Sequence, residues 1–440
     1  MNLNLKKVLP LAAASLLSIT SLVQADSGMN RNDRNDRNNR NGNSCADIPA
    51  TGECKTPFLP ATNPCTLGVV NPNAMPHIDC ARAIFTAELL YWNAHEDGLE
   101  YAISNTEAPN LSTNQVSTFN SSSYYNGDLL NPERKWDYGF RFGLGYVLNH
   151  DGWDIDAMWT HFRRNASDDV VADANTTTSR IYTLWSAVVP ALGDFLQATP
   201  SVPLLPIAAE VQTSWRLHLD LIDLELGRSF YTSKYLTLRP HIGLRGASIR
   251  QNYDITYLGG SFREGTASAP LNLTDDVVMK DNFWGIGVRG GLNSDWHWSR
   301  GCGGDWSFYG NLALSMIYGR FTIEQSESII DSSGIASIPS GPVNILDVEN
   351  NFRATRAMTD LTLGIRYDYD CADSDYHIAL WLGWEHHIAF GMNQWARYTS
   401  IPGVAGGHTA PQSPQTYTNY VPEDGDLTTQ GWTLGFGLDF

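Results

Sequence analysis

From Trp432 to the carboxyl end the chain alternates without exception: Trp432, Leu434, Phe436, Leu438 and Phe440 fall on one face, Thr433, Gly435, Gly437 and Asp439 on the other. A period of two is a strand. A bulky apolar face backed by a glycine-rich one suits a wall with lipid outside and a crowded interior within. The pattern recurs upstream. In Ala83–Trp92, Phe85, Ala87, Leu89 and Tyr91 alternate with Thr86, Glu88, Leu90 and Trp92. In Asp137–Leu148, Tyr138, Phe140, Phe142 and Leu144 oppose Gly139, Arg141, Gly143 and Gly145. Further such stretches are Trp153–Phe162, Trp215–Leu226, Tyr235–Tyr253, Phe283–Leu292, Trp306–Tyr318, Ala357–Tyr369 and Tyr376–Phe390, about ten strands with the last one.

Two places disturb the alternation. In Trp215–Leu226 the apolar parity slips by one at Leu221-Ile222, which predicts a bulge, with Trp215, Leu217 and Leu219 outside and Arg216, His218 and Asp220 inside. Pro240 interrupts Tyr235–Tyr253 and predicts another bulge or break, since proline cannot donate to a ladder.

The connections run long and short in strict turn: 96–136 long, 149–152 short, 164–214 long, 231–234 short, 256–279 long, 295–305 short, 325–356 long, 370–375 short, 397–426 long. An up-and-down barrel must read this way, with long extracellular loops and short periplasmic turns. A soluble sandwich has no reason to. The expected fold is therefore all-β: a transmembrane up-and-down antiparallel β-barrel of about 10–12 strands. Aromatics near strand ends, Trp92, Tyr138, Trp215, Trp284 and Trp432 at one end and Trp153, Trp306, Tyr367 and Phe440 at the other, are expected to form the two interfacial girdles.

The amino-terminus reads as an export signal: Lys6 and Lys7, an apolar run Val8–Val23, and small residues before a cut after Ala25. No later run reaches about 18 apolar residues, so no spanning helix is expected. The most apolar candidate, 181–211, is broken by Pro190, Asp194, Pro200, Pro203, Pro206 and Glu210. The expected organisation is 1–25 signal peptide, 26–82 a cysteine-containing periplasmic segment, and 83–440 the barrel. Residues 30–43, mostly Asn, Asp and Arg, cannot bury enough apolar surface to fold and read as a solvated tether. Losing Lys6 and Lys7 makes the net charge of −18 more negative by two, so a nucleic-acid partner is not expected.

Cys45, Cys54, Cys65 and Cys80 lack the spacing of a zinc site, and in an oxidising compartment are candidates for two disulfides or for bridges between chains. Cys302 and Cys371 fall in turns flanking one hairpin on the periplasmic side and are expected to pair with each other, with the amino-terminal cysteines as alternative partners.

The stretch FTAELLYWNAHEDGLEYA (85–102) resembles the opening of the major outer-membrane proteins of Legionella and of environmental chlamydiae, a pore-forming family; LRPHIGLR (238–245) and NFWGIGVRGG (282–291) are similar to it as well. The resemblance spans about Phe85 to Phe440. It implies an abundant porin of the bacterial outer membrane, ion transport, and disulfide-linked envelope partners or a homo-oligomer. The terminal strand, with Trp432, Phe436 and Phe440, resembles the signal by which the barrel-assembly machinery recognises such chains for insertion into outer-membrane lipid.

On this map Arg141, Arg216, Arg239, Arg245, Arg289 and Arg366 face Asp154, Asp156, Asp220, Asp360 and Glu385, with Asp223 and Glu225, across the lumen. Mixed charges on inward faces can set a transverse field along a water-filled path for ions and small solutes. The competing reading is that they pair off and plug a narrow barrel, leaving a structural or adhesive protein that uses the Ser/Thr/Asn-rich segments 111–126 and 166–179. His386-His387 is no metal pair, because strand neighbours point to opposite faces; no metal or cofactor is expected. A rim hydrolase is the remaining class, but His218 and Asp220 come with no G-x-S-x-G turn, and no enzyme is expected.

Overall fold

A computed structural model describes residues 82–105, 127–148, 153–172, 180–187, 207–233, 235–260, 273–301, 304–331, 341–370, 376–402 and 416–439. No helix occurs among them. Ten long strands make a ring: β1 (Arg82–Glu96), β2 (Trp136–Val147), β3 (Trp153–Val171), β4 (Glu210–Arg228), β5 (Leu236–Gly260), β6 (Leu273–Gly301), β7 (Gly304–Asp331), β8 (Val343–Asp370), β9 (His377–Asn393) and β10 (Gly425–Asp439). Each pairs antiparallel with its sequence neighbours, and β10 returns to β1 in a ladder from Ile84↔Asp439 to Glu96↔Leu427. Closure leaves no unpaired sheet edge, which is what a wall in lipid requires. The signal segment, the tether, all six cysteines, the turn 149–152, segment 111–126 and Phe440 lie outside the described residues.

The strands are longer than the sequence suggests. β6 has 29 residues and β7 and β8 have 28 each, where a membrane needs about 9–11. Most of what reads as loop in 256–279, 295–305 and 325–356 is strand: β5 runs to Gly260, β6 starts at Leu273, β7 ends at Asp331 and β8 starts at Val343. Such runs lack an outward apolar face, and that is why they look like loop.

The reason is an inversion of the two faces partway along the wall. From Trp306 to Tyr318, β7 exposes Phe308, Leu312, Leu314, Met316 and Tyr318, a belt that spans about 30 Å once strand rise and tilt are combined. Beyond Tyr318 the outward residues are Arg320, Thr322 and Glu324, while Ile317, Phe321, Ile323 and Ile329 are buried inside. Outside the bilayer the exterior is water, so apolar side chains move to the interior.

β4 crosses this boundary at the expected bulge. There is no bulge: the ladders to β3 and β5 run through Leu221 and Ile222 without a shift. Leu221 points inward at 8% exposure and Ile222 outward at 61%. The backbone parity holds and the environment changes, so Trp215, Leu217 and Leu219 are inside, and Arg216, His218 and Asp220 are outside. Pro240 likewise needs no break. Its pairing with Leu292 on β6 is regular, and the β4 ladder ends one residue away at His241↔Gly227, so the missing N–H costs no bond to β4.

The inverted zone has its own core. Leu99, Tyr101, Trp185 and Trp395, from connecting segments on the loop side, pack inside the ring against Tyr253, Tyr257, Phe283 and Phe321. Tyr253 Oη donates to Leu99 O at 2.8 Å, Tyr257 Oη to Tyr101 O at 2.7 Å, and Trp185 Nε1 to Glu100 O at 2.9 Å. Aromatic burial supplies the energy and the hydroxyls fix the register of the inserted backbone. Trp92 and Trp215 belong to this interior, each 1% exposed, and not to the girdle. The loop-side girdle is formed by Tyr91, Trp136, Tyr138, Trp284 and Trp432, with Trp384 against Trp432.

Candidate functional site

Within the belt the interior is polar and packed. Glu88 (β1), Arg141 (β2), Asp223 and Glu225 (β4), Arg245 (β5), Arg289 (β6), Asp360 (β8), and Glu385 and His387 (β9) all take the inward parity of their strands and meet in the middle. Arg141 is held bidentately by Glu385, at 3.0 Å for each N–O pair, and by Glu88 at 2.6 Å. Glu385 passes to His387 at 3.0 Å, and His387 to Asp360 at 2.7 Å. Asp360 accepts from Arg245 at 2.8 Å and from Arg289. Arg245 forks onto Asp223 at 2.6 and 2.7 Å, and Arg289 donates to Glu225 at 2.8 Å. Trp381 donates to Glu88 at 3.2 Å; its ring lies over Gly435, where a Cβ would collide with it.

This chain of contacts crosses the lumen from wall to wall. Side-chain exposure is 3% for Glu385, 2% for Glu225, 5% for Asp360, 4% for Arg245 and Arg289, and 15% for Arg141. Charges lining a wide aqueous channel would stay hydrated. Here each charge is solvated by its partners, in geometry good enough to offset desolvation.

Towards the turn side Arg239 forks onto Asp154 and reaches Asp156 at 2.5 Å. Arg366 pairs with Asp368 at 2.9 Å and lies over the Trp381 ring. Of the residues expected in the lumen, Arg141, Asp154, Asp156, Arg239, Arg245, Arg289, Asp360, Arg366 and Glu385 face inward. Arg216 and Asp220 do not, and their assignment to the lumen is corrected: they sit on the outer surface beyond the belt, Arg216 against Asp254 at 2.5 Å and Asp220 against His161 at 2.6 Å. The inverted zone moved them. Glu88 and His387 are the members that the sequence alone did not single out, although both follow from strand parity.

Beyond the belt the apolar core contains carboxyls of a different kind. Glu96 is fully buried, and burial holds it well above the ordinary range. Burial pushes Asp281 up to about 8, against the pull of the donating Gln394 amide. Burial also raises Asp275 to about 6 and Glu327 well up, and Glu327 accepts the Ala187 amide at 2.8 and 2.9 Å, tying the inserted segment to β7. Among the described residues no group of three or more potential ligands is placed to hold a metal ion.

The family described as "Legionella pneumophila major outer membrane protein precursor" matches residues 78–440. No curated protein matches the chain. Among solved structures, the outer membrane protease OmpT from Escherichia coli is similar at 10% identity, covering 82% of this chain and 96% of that one with a TM-score of 0.29. A Pseudomonas aeruginosa FadL homologue is similar at 9% identity, covering 84% and 92%, with a TM-score of 0.23. Superpositions this loose transfer no site.

Proposed function

The chain belongs to the Legionella pneumophila major outer membrane protein family, a β-barrel of the bacterial outer membrane, and from that premise we propose that it is a closed barrel with a structural and surface-presenting role. The observation that carries this reading is the network from Arg141 through Glu385, His387 and Asp360 to Arg245 and Arg289, whose side chains are nearly dry. A ten-stranded ring is narrow enough for side chains to fill it. The inserted aromatics Trp185 and Trp395 add a second, apolar closure on the extracellular side. What the barrel offers the surroundings is then the extended β5–β8 wall and its connections.

The diffusion-pore reading needs the network to part, and one experiment separates the two. Purified wild-type protein in planar bilayers is expected to pass no steady current. Arg141→Ala combined with Glu385→Ala, which empties the middle of the network, is expected to give ohmic channels. Steady channels from the wild type would sink the closed-barrel reading and restore the pore. An enzymatic role gains no support from His218 and Asp220, which face outward on β4.

The Cys302–Cys371 bridge is part of the same proposal. Gly301 and Gly304, which flank Cys302, and Asp370, which precedes Cys371, close strands that pair Asp305 with Asp368. Non-reducing peptide mapping is expected to recover a peptide joining the two cysteines. A peptide joining Cys302 to Cys45, Cys54, Cys65 or Cys80 would reassign it.

A further inference from the structure

Just beyond the apolar belt the outward face carries cations on several neighbouring strands. On β3 the positions after Trp159 are His161 and Arg163; on β4, after Ile222, they are Asp220 and His218. On β5 the first charge beyond Leu244 is Arg250, on β7 the first beyond Tyr318 is Arg320, and on β8 the first beyond Leu361 is Arg353. Among the described residues of these five strands Asp220 is the one acid at this level, engaged by His161 at 2.6 Å and Arg250 at 3.5 Å. Outward acids resume farther out, where Asp254 meets Arg216 and Glu324 meets Lys280. In a chain of net charge −18 such a run of positive first charges needs a local cause.

The pairing within the collar sharpens the point. Arg163 lies directly across the ladder from His218, and His218 from Arg250. Arg320 lies directly across from Arg353, with Trp284 on its other side. Like charges set opposite each other on adjacent strands, as Arg320 and Arg353 are, destabilise a sheet. Among the described residues no carboxylate is within ion-pair distance of Arg163, Arg320 or Arg353. Burial and the charges of Arg163 and Arg250 hold His218 below its ordinary value. The fold thus gathers cations in one layer, three of them without a carboxylate partner among the described residues and Arg250 sharing Asp220 with His161, beside an exposed interfacial tryptophan, where the acyl region ends and headgroups begin.

We propose that this collar binds the phosphate groups of the anionic glycolipid of the outer leaflet, with Arg320 and Arg353 as one clamp and Arg163 with Arg250, one on either side of His218, as a second. A guanidinium presents a planar fork of N–H donors that matches a phosphate bidentately, and two guanidiniums set directly opposite each other, as Arg320 and Arg353 are, are relieved of mutual repulsion by one bridging dianion. Acyl chains of the same lipid would lie on the belt below, against Tyr318, Met316 and Ile286, which a free anion cannot use.

The test uses the full chain folded in detergent micelles doped with bis-phosphorylated lipid A, with the same lipid stripped of both phosphates, or with inorganic phosphate alone. Wild-type protein is expected to retain the phosphorylated lipid in native mass spectra and to bind it about tenfold more tightly than the stripped lipid. The R320Q/R353Q variant is expected to lose most of that difference while keeping its heat-dependent gel mobility. If that variant does not fold, R163Q/R250Q carries the same expectation. Equal binding of stripped and phosphorylated lipid, or unchanged binding by a folded variant, overturns the proposal. Inorganic phosphate displacing the lipid at millimolar concentration would also overturn it, in favour of a free-anion site.

Discussion

Replacing Asp360 with alanine is expected to lower the unfolding free energy by about 3–5 kcal/mol, the cost of leaving buried charges unpaired. The Asp360 carboxylate is shared by Arg245, Arg289 and His387 at the centre of the lumen. Each of those groups keeps one other acid, Asp223, Glu225 and Glu385 respectively, but the balance of charge among these buried side chains is lost. Urea unfolding of the micelle-bound protein, followed by the gel mobility of unboiled samples, measures the effect. Asp360→Asn keeps the shape and part of the hydrogen bonding and is expected to fall between wild type and alanine. A change below about 1 kcal/mol for Asp360→Ala would mean that the lumen is wetter than the buried geometry implies, and would weaken the closed-barrel reading with it.

Trp395→Ala is expected to act on a different part of the molecule. Trp395 is fully buried, 5.8 Å from the Tyr253 ring and 6.5 Å from Trp185. Truncating a buried tryptophan costs about 3–5 kcal/mol. Here the loss falls on the extracellular core, whose inserted segments have no ladder to the membrane wall. Protease added to the folded protein is expected to cut within 180–187 or 391–402 in the variant and not in the wild type, while the heat-dependent mobility of the barrel persists. Loss of both together would show that the two zones unfold as one unit.

The barrel of about ten strands, the alternation of connections and the inward parity within the belt are legible in the sequence, because a wall between lipid and a polar lumen writes its two faces as a strict period of two. Arg141, Arg245, Arg289, Asp360 and Glu385 point inward, as that period alone requires. The misplacements, Arg216, Asp220, Trp92 and Trp215, share one cause. A rule that puts apolar side chains outside is valid only at the depth of the bilayer, and over residues 214–221 it reads the two faces backwards. The parity slip at Leu221-Ile222 marks where the bilayer stops, and it has the same appearance as a bulge until the ladder is seen to run straight through it. Pairing among the charges was beyond the sequence as well, since Glu385 and Arg141 meet across the lumen from strands far apart in the chain.

The seam between β1 and β10 governs how the molecule can be made. Its ladder joins residues that begin at Ile84 to residues that end at Asp439, so the ring stays open until all ten strands have been delivered to the membrane. Until then two strands carry bare N–H and C=O groups, and each such group left in hydrocarbon costs several kcal/mol. Contacts this distant in sequence also form slowly. A shortened chain that lacks β10 therefore does not produce a slightly weaker barrel; it produces an open sheet with two adhesive margins, which nothing but another strand can quench.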